Sequence, residues 1–224
     1  MEEFDSELEI SKKIHQAILD PHITSEKMKE ICQASMYYKF ECIATHVSFI
    51  RKVSEFLDKN TKIKIIGLIS FPFGASPCNH KKSEAEIAAE YGAKELDIVP
   101  NLFSLKARDF NDFGEEISEI CSVGLPTRVI LNTHRLSLEE TKTAINLSLE
   151  AGAIGIQNSN GLGTKINIKD IKILSKIASG KCEIKAVGGI RSLELVCSLI
   201  HSGASKIGTS FGPEIMSSVN KDKS

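Results

Sequence analysis

Three times in this chain an amphipathic stretch closes on Gly-Ala and runs straight into an apolar segment: Tyr91-Gly92-Ala93, Ala151-Gly152-Ala153 and Ser202-Gly203-Ala204. A Gly just past the last helical turn is a C-cap, so each triplet reads as the end of a helix with a strand starting at once. Strand-like runs lie at His15–Leu19 (the weakest), Glu41–Thr45, Ile63–Ile69, Glu95–Val99, Thr127–Leu131, Ala153–Ile156, Glu183–Val187 and Lys206–Thr209. Helix-like segments such as "SEKMKEICQASMYY", "KKSEAEIAAEYGA", "SLEETKTAINLSLEAGA" and "SLELVCSLIHSGA" lie between them. Strands that are apolar throughout, joined by helices, imply a parallel sheet covered on both faces. Eight of them fit a single-domain α/β chain, a (β/α)8 TIM barrel; a doubly wound open sheet is the alternative. The length of 224 residues suits one such unit spanning 1–224, with an irregular tail expected at about 217–224.

Composition narrows the function classes. A formal net charge of −1 and a pI near 6.6 supply no basic field for nucleic acid or anionic lipid. The acidic start "MEEFDSELEI" is wrong for an export signal, and no apolar run approaches membrane-spanning length. The six cysteines are scattered without a Cys-x-x-Cys pair, which predicts free thiols in a cytoplasmic protein and no zinc site. The expected partner is a small phosphorylated metabolite, with no cofactor, no metal, no nucleic acid and no membrane; a homodimer is compatible with the sequence.

In a barrel, function gathers at the C-terminal ends of the strands. Strand four ends "LDIVPN", where Asp97 is the one acid inside an apolar run. A carboxylate is costly to bury alone, so Asp97 must meet a cation or a donor, as a structural ion pair or as an acid/base. Strand seven reads "EIKAVGGIRS": Lys185 interrupts it, and Gly188-Gly189 free backbone N–H groups ahead of a helix. Strand eight ends "KIGTSFG", a second such turn formed by Gly208, Thr209 and Ser210. Two turns adjacent in strand order read as a phosphate site or, more plainly, as turn chemistry. Strand six opens into Gln157-Asn158-Ser159-Asn160-Gly161, amides that hold a ligand or close a turn; Asn158 and Asn160 are the binding candidates. The six histidines show no metal-ligand spacing, and "HKKSEAE" around His80 reads as a solvated helix start.

Taken in order, "ILDPHIT", "GLISFPFGA", "KKSEAEIAAEYGAKELDIV", "RVILNT", "AGAIGIQNSNG", "IKAVGGIRS" and "GASKIGTSFG" resemble the deoxyribose-phosphate aldolase family over almost the whole chain. The resemblance implies a (β/α)8 barrel and a class I aldolase of deoxyribonucleotide catabolism. Such an enzyme joins acetaldehyde to glyceraldehyde 3-phosphate, reversibly, through a lysine Schiff base and without a metal. It places Asp97 on the family's acid, Lys185 on its helper lysine, and Gly188, Gly189, Gly208, Thr209 and Ser210 on its phosphate turns. Where the family typically reads Lys-Thr-Ser-Thr-Gly this chain has Gln157-Asn158-Ser159-Asn160-Gly161, so the resemblance implies that the Schiff-base lysine is replaced by Gln157. The family's Asp-His-Thr near the N-terminus is His15-Gln16-Ala17, the Lys that follows it is Asp20, and the Glu of strand five is Asn132.

A carboxamide cannot form an iminium ion, though it can orient a carbonyl or hydroxyl. Three readings follow: a phosphosugar-binding barrel without the usual aldol step; an active lyase or isomerase using Lys185 as nucleophile, or Asp97 as base with Gln157 and Asn158 holding the substrate's oxygen; or a non-catalytic partner-binding barrel. An ordinary lysine leaves roughly one amine in 2,500 neutral at pH 7, which weighs against Lys185 as nucleophile.

Overall fold

The computed structural model describes residues 7–221. Eight parallel strands close into one barrel in sequence order, β1 (Ile14–Ile18), β2 (Cys42–His46), β3 (Lys64–Ile69), β4 (Glu95–Ile98), β5 (Thr127–Ile130), β6 (Gly155–Gln157), β7 (Glu183–Val187) and β8 (Lys206–Thr209). The ring closes where β8 pairs with β1, His15 opposite Gly208 and Gln16 opposite Thr209. Closure in sequence order excludes the open doubly wound sheet, which reverses its strand order at β1 and keeps two edge strands, whereas here every strand has two neighbours.

Helices lie between the strands, and the three Gly-Ala triplets end them as expected. Gly92, Gly152 and Gly203 all have positive φ, near +100°. Ala93, Ala153 and Ala204 donate back across the cap to the carbonyls of Ala88, Ser148 and Leu199. That pattern turns the chain sharply from helix into strand and satisfies the last carbonyls of the helix. The main core is the apolar layer between strands and helices, built from residues such as Ile14, Ile43, Leu96, Val129, Ile156, Ile184 and Ile207. Inside the barrel a smaller cluster of Cys42, Ala44, Ile66 and Leu68 fills only the β2–β3 side. Elsewhere the interior mixes the charged Asp97, Arg128 and Lys185 with apolar residues such as Ala17 and Val187.

Three expectations are corrected. Strand six reaches Gln157 rather than stopping at Ile156, because Gln157 still pairs with Lys185 of β7 and its carbonyl accepts from Leu131 N. The expected tail from 217 is helical through Lys221, in a final helix Gly212–Lys221 seated by the buried Ile215 and Met216; residues 222–224 lie outside the described residues. The helix start around His80 is solvated at His80 itself but not at Lys81, which is fully buried and donates to Glu116 at 2.7 Å. A buried ammonium needs such a partner, and Glu116 also accepts from Asn101 N.

Candidate active site

Side chains alternate in and out along a strand, so the inward positions of β4, β5 and β7 decide what the barrel encloses. Asp97, Arg128 and Lys185 are all inward and essentially inaccessible, at 0%, 1% and 2% exposure. Lys185 Nζ donates to Asp97 Oδ2 at 2.5 Å. Arg128 spans the floor beneath them. Its NH2 donates to Glu95 at 2.6 Å, its Nε to Glu183 at 2.7 Å and its NH1 to Asp97 at 3.4 Å. Lys64 adds a second cation to Glu95 at 2.7 Å. Burial alone would push the Asp97 carboxyl up, but the charges of Lys185 and Arg128 outweigh it and hold the group below the usual carboxylate range.

Gly208 makes room for this arrangement. A Cβ there would lie 2.6 Å from Val187 Cγ2 and 3.0 Å from Lys185 Cε, so a larger residue would displace the lysine. Above the ion cluster a cavity of about 250 Å³ opens to the strands' C-terminal ends, with Lys185, Gln157 and His15 in its wall. Its rim is formed by the turns after β7 and β8. Gly188 takes φ +134° and Gly189 φ +64°, backbone conformations that favour glycine. The N–H groups of Gly189 and Ser210 have no acceptor among the described residues. Thr209 fixes the two turns to each other, its hydroxyl donating to Ile190 O and accepting from Phe211 N. Two helices, Leu193–His201 and Gly212–Lys221, begin immediately behind these turns. Their N-termini favour an anion at the rim.

The amides after β6 divide. Gln157 is in the cavity wall, its Nε2 donating to Ser159 O at 2.5 Å. Asn160 is also in the wall, its Nδ2 donating to Pro72 O at 3.2 Å. Asn158 is turned the other way, both ends of its amide bonded to the Val187 backbone at 3.0 and 2.7 Å. It braces the end of β7 and is absent from the cavity wall. Asn132, in a left-handed conformation, accepts from Asn160 N and so anchors the same loop.

Sequence reasoning missed three contributors. Arg128 is the second residue of a strand that follows Leu125-Pro126, and nothing local shows the three carboxylates around it. Arg191 lies at the cavity rim with its guanidinium 4.2 Å over the Phe211 ring, so it links the turn after β7 to the turn after β8. A cation two residues after Gly-Gly was the available signal. His15 was weighed for metal spacing and as a departure from the family's N-terminal motif, not as a ligand-facing group, yet it is fully buried in the cavity wall.

The structure is a single-domain (β/α)8 barrel with a buried lysine–carboxylate pair at its mouth. The chain is 35% identical to the deoxyribose-phosphate aldolase of Thermococcus kodakarensis over 214 residues, covering 93% of this chain and 96% of that protein. It is 34% identical to the deoxyribose-phosphate aldolase of Microcystis aeruginosa, covering 95% and 94%. Among solved structures, an aldolase described as QR15 superposes with a TM-score of 0.90 at 32% identity, covering 96% of this chain and 97% of that one. A deoxyribose phosphate aldolase from Aeropyrum pernix, described as a unique tetramer, superposes at 0.88 with 27% identity, covering 96% and 92%. No family model matches. The chain belongs to the deoxyribose-phosphate aldolase family. Among the described residues no helix is long and apolar enough to cross a membrane.

Proposed function

We propose that this chain binds a phosphorylated sugar or aldehyde in the barrel mouth, phosphate at the Gly188–Gly189 and Gly208–Ser210 turns, and lacks the Schiff-base aldol step. The observation that carries the reading is the amine inventory of the cavity. Lys185 is the one lysine in its wall among the described residues, and its Nζ is already donating to a buried carboxylate at 2.5 Å. An ammonium so engaged has no lone pair with which to attack a carbonyl, and separating the pair would leave Asp97 buried beside Arg128 alone. At the end of β6, where the resemblance puts the Schiff-base lysine, Gln157 offers hydrogen bonds only. Lys165, the next lysine in the chain, is exposed on the following loop.

Asp97 and Lys185 then act as a fixed polar floor that orients ligand oxygens. The free N–H groups of the two turns, together with Arg191 at the rim, hold the phosphate. An oligomeric assembly belongs to the same proposal, supported by the tetrameric Aeropyrum relative; light scattering after size exclusion reads it.

The test combines binding and turnover. 2-Deoxyribose 5-phosphate is expected to raise the melting temperature while no acetaldehyde is released. Gln157→Lys is expected to switch release on, because Gln157 and Lys185 are register partners and a lysine there meets a complete floor. Acetaldehyde release by the unaltered protein would overturn the proposal in favour of Lys185 as nucleophile. No stabilisation by any phosphate ester would overturn the binding reading.

A further inference from the structure

Among the described residues two buried polar side-chain atoms have no hydrogen-bond partner, His15 Nδ1 and Gln157 Oε1. Both side chains line the same cavity, at 0% and 3% exposure. Leaving a buried polar atom unpaired is costly, so two in one wall mark a place that a ligand completes.

Their hydrogen-bonding sense follows from their other contacts. His15 Nε2 lies 3.3 Å from Glu41 Oε2. Burial would raise the Glu41 carboxyl, but its bonds to His15 and Lys206 bring it down to about 2, so it is ionised and can only accept. Nε2 therefore carries the proton. Burial, opposed by Glu41 and reinforced by the charges of Lys185 and Arg128, lowers His15 to about 4, so the ring is neutral and Nδ1 is a bare acceptor. Gln157 donates through Nε2 to Ser159 O, which leaves Oε1 as the second bare acceptor. Lys185 completes the set with donors, since an ammonium has three N–H bonds and Asp97 is its one acceptor among the described residues.

A carbonyl oxygen matches only the lysine and leaves both acceptors dry. A second anionic group would face two lone pairs. A ligand ammonium would satisfy them but would enter beside Lys185 and Arg128. A hydroxyl fits both demands, because it donates one hydrogen bond while accepting another.

We propose that the lower part of the cavity, beneath the two glycine turns, holds two hydroxyl groups of a phosphorylated polyol, His15 Nδ1 and Gln157 Oε1 each accepting one O–H while Lys185 donates to the hydroxyl oxygens. This rests on the phosphate-ester reading above and narrows it to a ligand rich in hydroxyls at the end away from the phosphate.

The experiment is isothermal titration calorimetry with ribitol 5-phosphate, n-pentyl phosphate of the same chain length, and inorganic phosphate. Ribitol 5-phosphate is expected to bind at least about 30-fold tighter than n-pentyl phosphate, as two rescued acceptors warrant. His15→Phe and Gln157→Leu are each expected to remove most of that preference. Affinities within threefold of each other, or a preference untouched in both variants, would overturn the proposal while leaving the phosphate reading standing. Should His15→Phe fail to fold, the unaltered protein and Gln157→Leu still decide it. If none of the three ligands binds, the phosphate reading itself falls, and this inference with it.

Discussion

The barrel interior carries polar groups at two levels, and the levels are built by opposite rules. At the floor Arg128 meets Glu95, Asp97 and Glu183, Lys64 meets Glu95, and Lys185 meets Asp97, so every charge has an opposite charge within hydrogen-bond or ion-pair distance. At the mouth the account is left open: two acceptors without partners, two N–H groups without acceptors, and glycines where side chains would intrude. A cluster in which every charge is paired around the buried Arg128 and Asp97 specifies structure. An unpaired set facing a cavity is available to a ligand. Lys185 belongs to both levels, paired with Asp97 at the floor and lining the cavity at the mouth.

The largest way to break this contrast is to open the floor. Arg128→Met removes the cation common to Glu95, Asp97 and Glu183 and is expected to cost about 3–5 kcal/mol, the range for breaking a buried ion pair. Urea denaturation reads it, and a loss below about 1 kcal/mol would show that Arg128 does not hold the floor together.

Acid probes the joint between the levels. His15 is held at about 4 in the folded protein against 6.5 for the free side chain. As pH falls from 6.5 the unfolded chain takes up a proton that the folded chain refuses, so stability drops by roughly 3 kcal/mol by pH 4. Glu41, at about 2 against 4.5, continues the loss from pH 4.5 downward as its ionised form is protonated. Asp97, lowered by the charges of Lys185 and Arg128 despite its burial, acts in the same direction. Urea titrations at pH 8, 6.5 and 4 should therefore show a flat upper segment and a falling lower one, with His15→Phe losing the fall between 6.5 and 4. A flat curve down to pH 4 would contradict the assignment of a neutral His15.

The mouth should respond more gently in stability than in binding. Gly188→Ala places a Cβ 3.1 Å from Ile166 N at φ +134° and is expected to cost about 1–3 kcal/mol. Calorimetric affinity for inorganic phosphate should fall at least tenfold with it. Unchanged affinity would detach this turn from anion binding.

Much of the scaffold was legible because its rules are local. Apolar runs and Gly-Ala caps are short-range signals, and they located all eight strands within a residue or two. Asp97 and Lys185 stood out for the same reason, as single charges inside apolar runs. Arg128 and Lys81 did not, since each follows a turn or opens a helix, where a cation normally meets water. Their burial comes from carboxylates 31 to 55 residues away on other elements. Asn158 shows the converse: a polar side chain at a strand end invites a ligand reading, yet the backbone of β7 takes both of its hydrogen-bonding ends. Gln157 was placed one residue outside its strand, because the Gln-Asn-Ser-Asn-Gly run looks like a turn while the pairing that holds it is with β7.

The central claim concerns one atom, Lys185 Nζ. The direct test is borohydride reduction of the unaltered protein in the presence of 2-deoxyribose 5-phosphate or acetaldehyde, followed by intact-mass and peptide analysis. The ion pair with Asp97 predicts no reduced adduct on the peptide containing Lys185, with Gln157→Lys trapped under the same conditions. A stoichiometric adduct on Lys185 in the unaltered protein would contradict it.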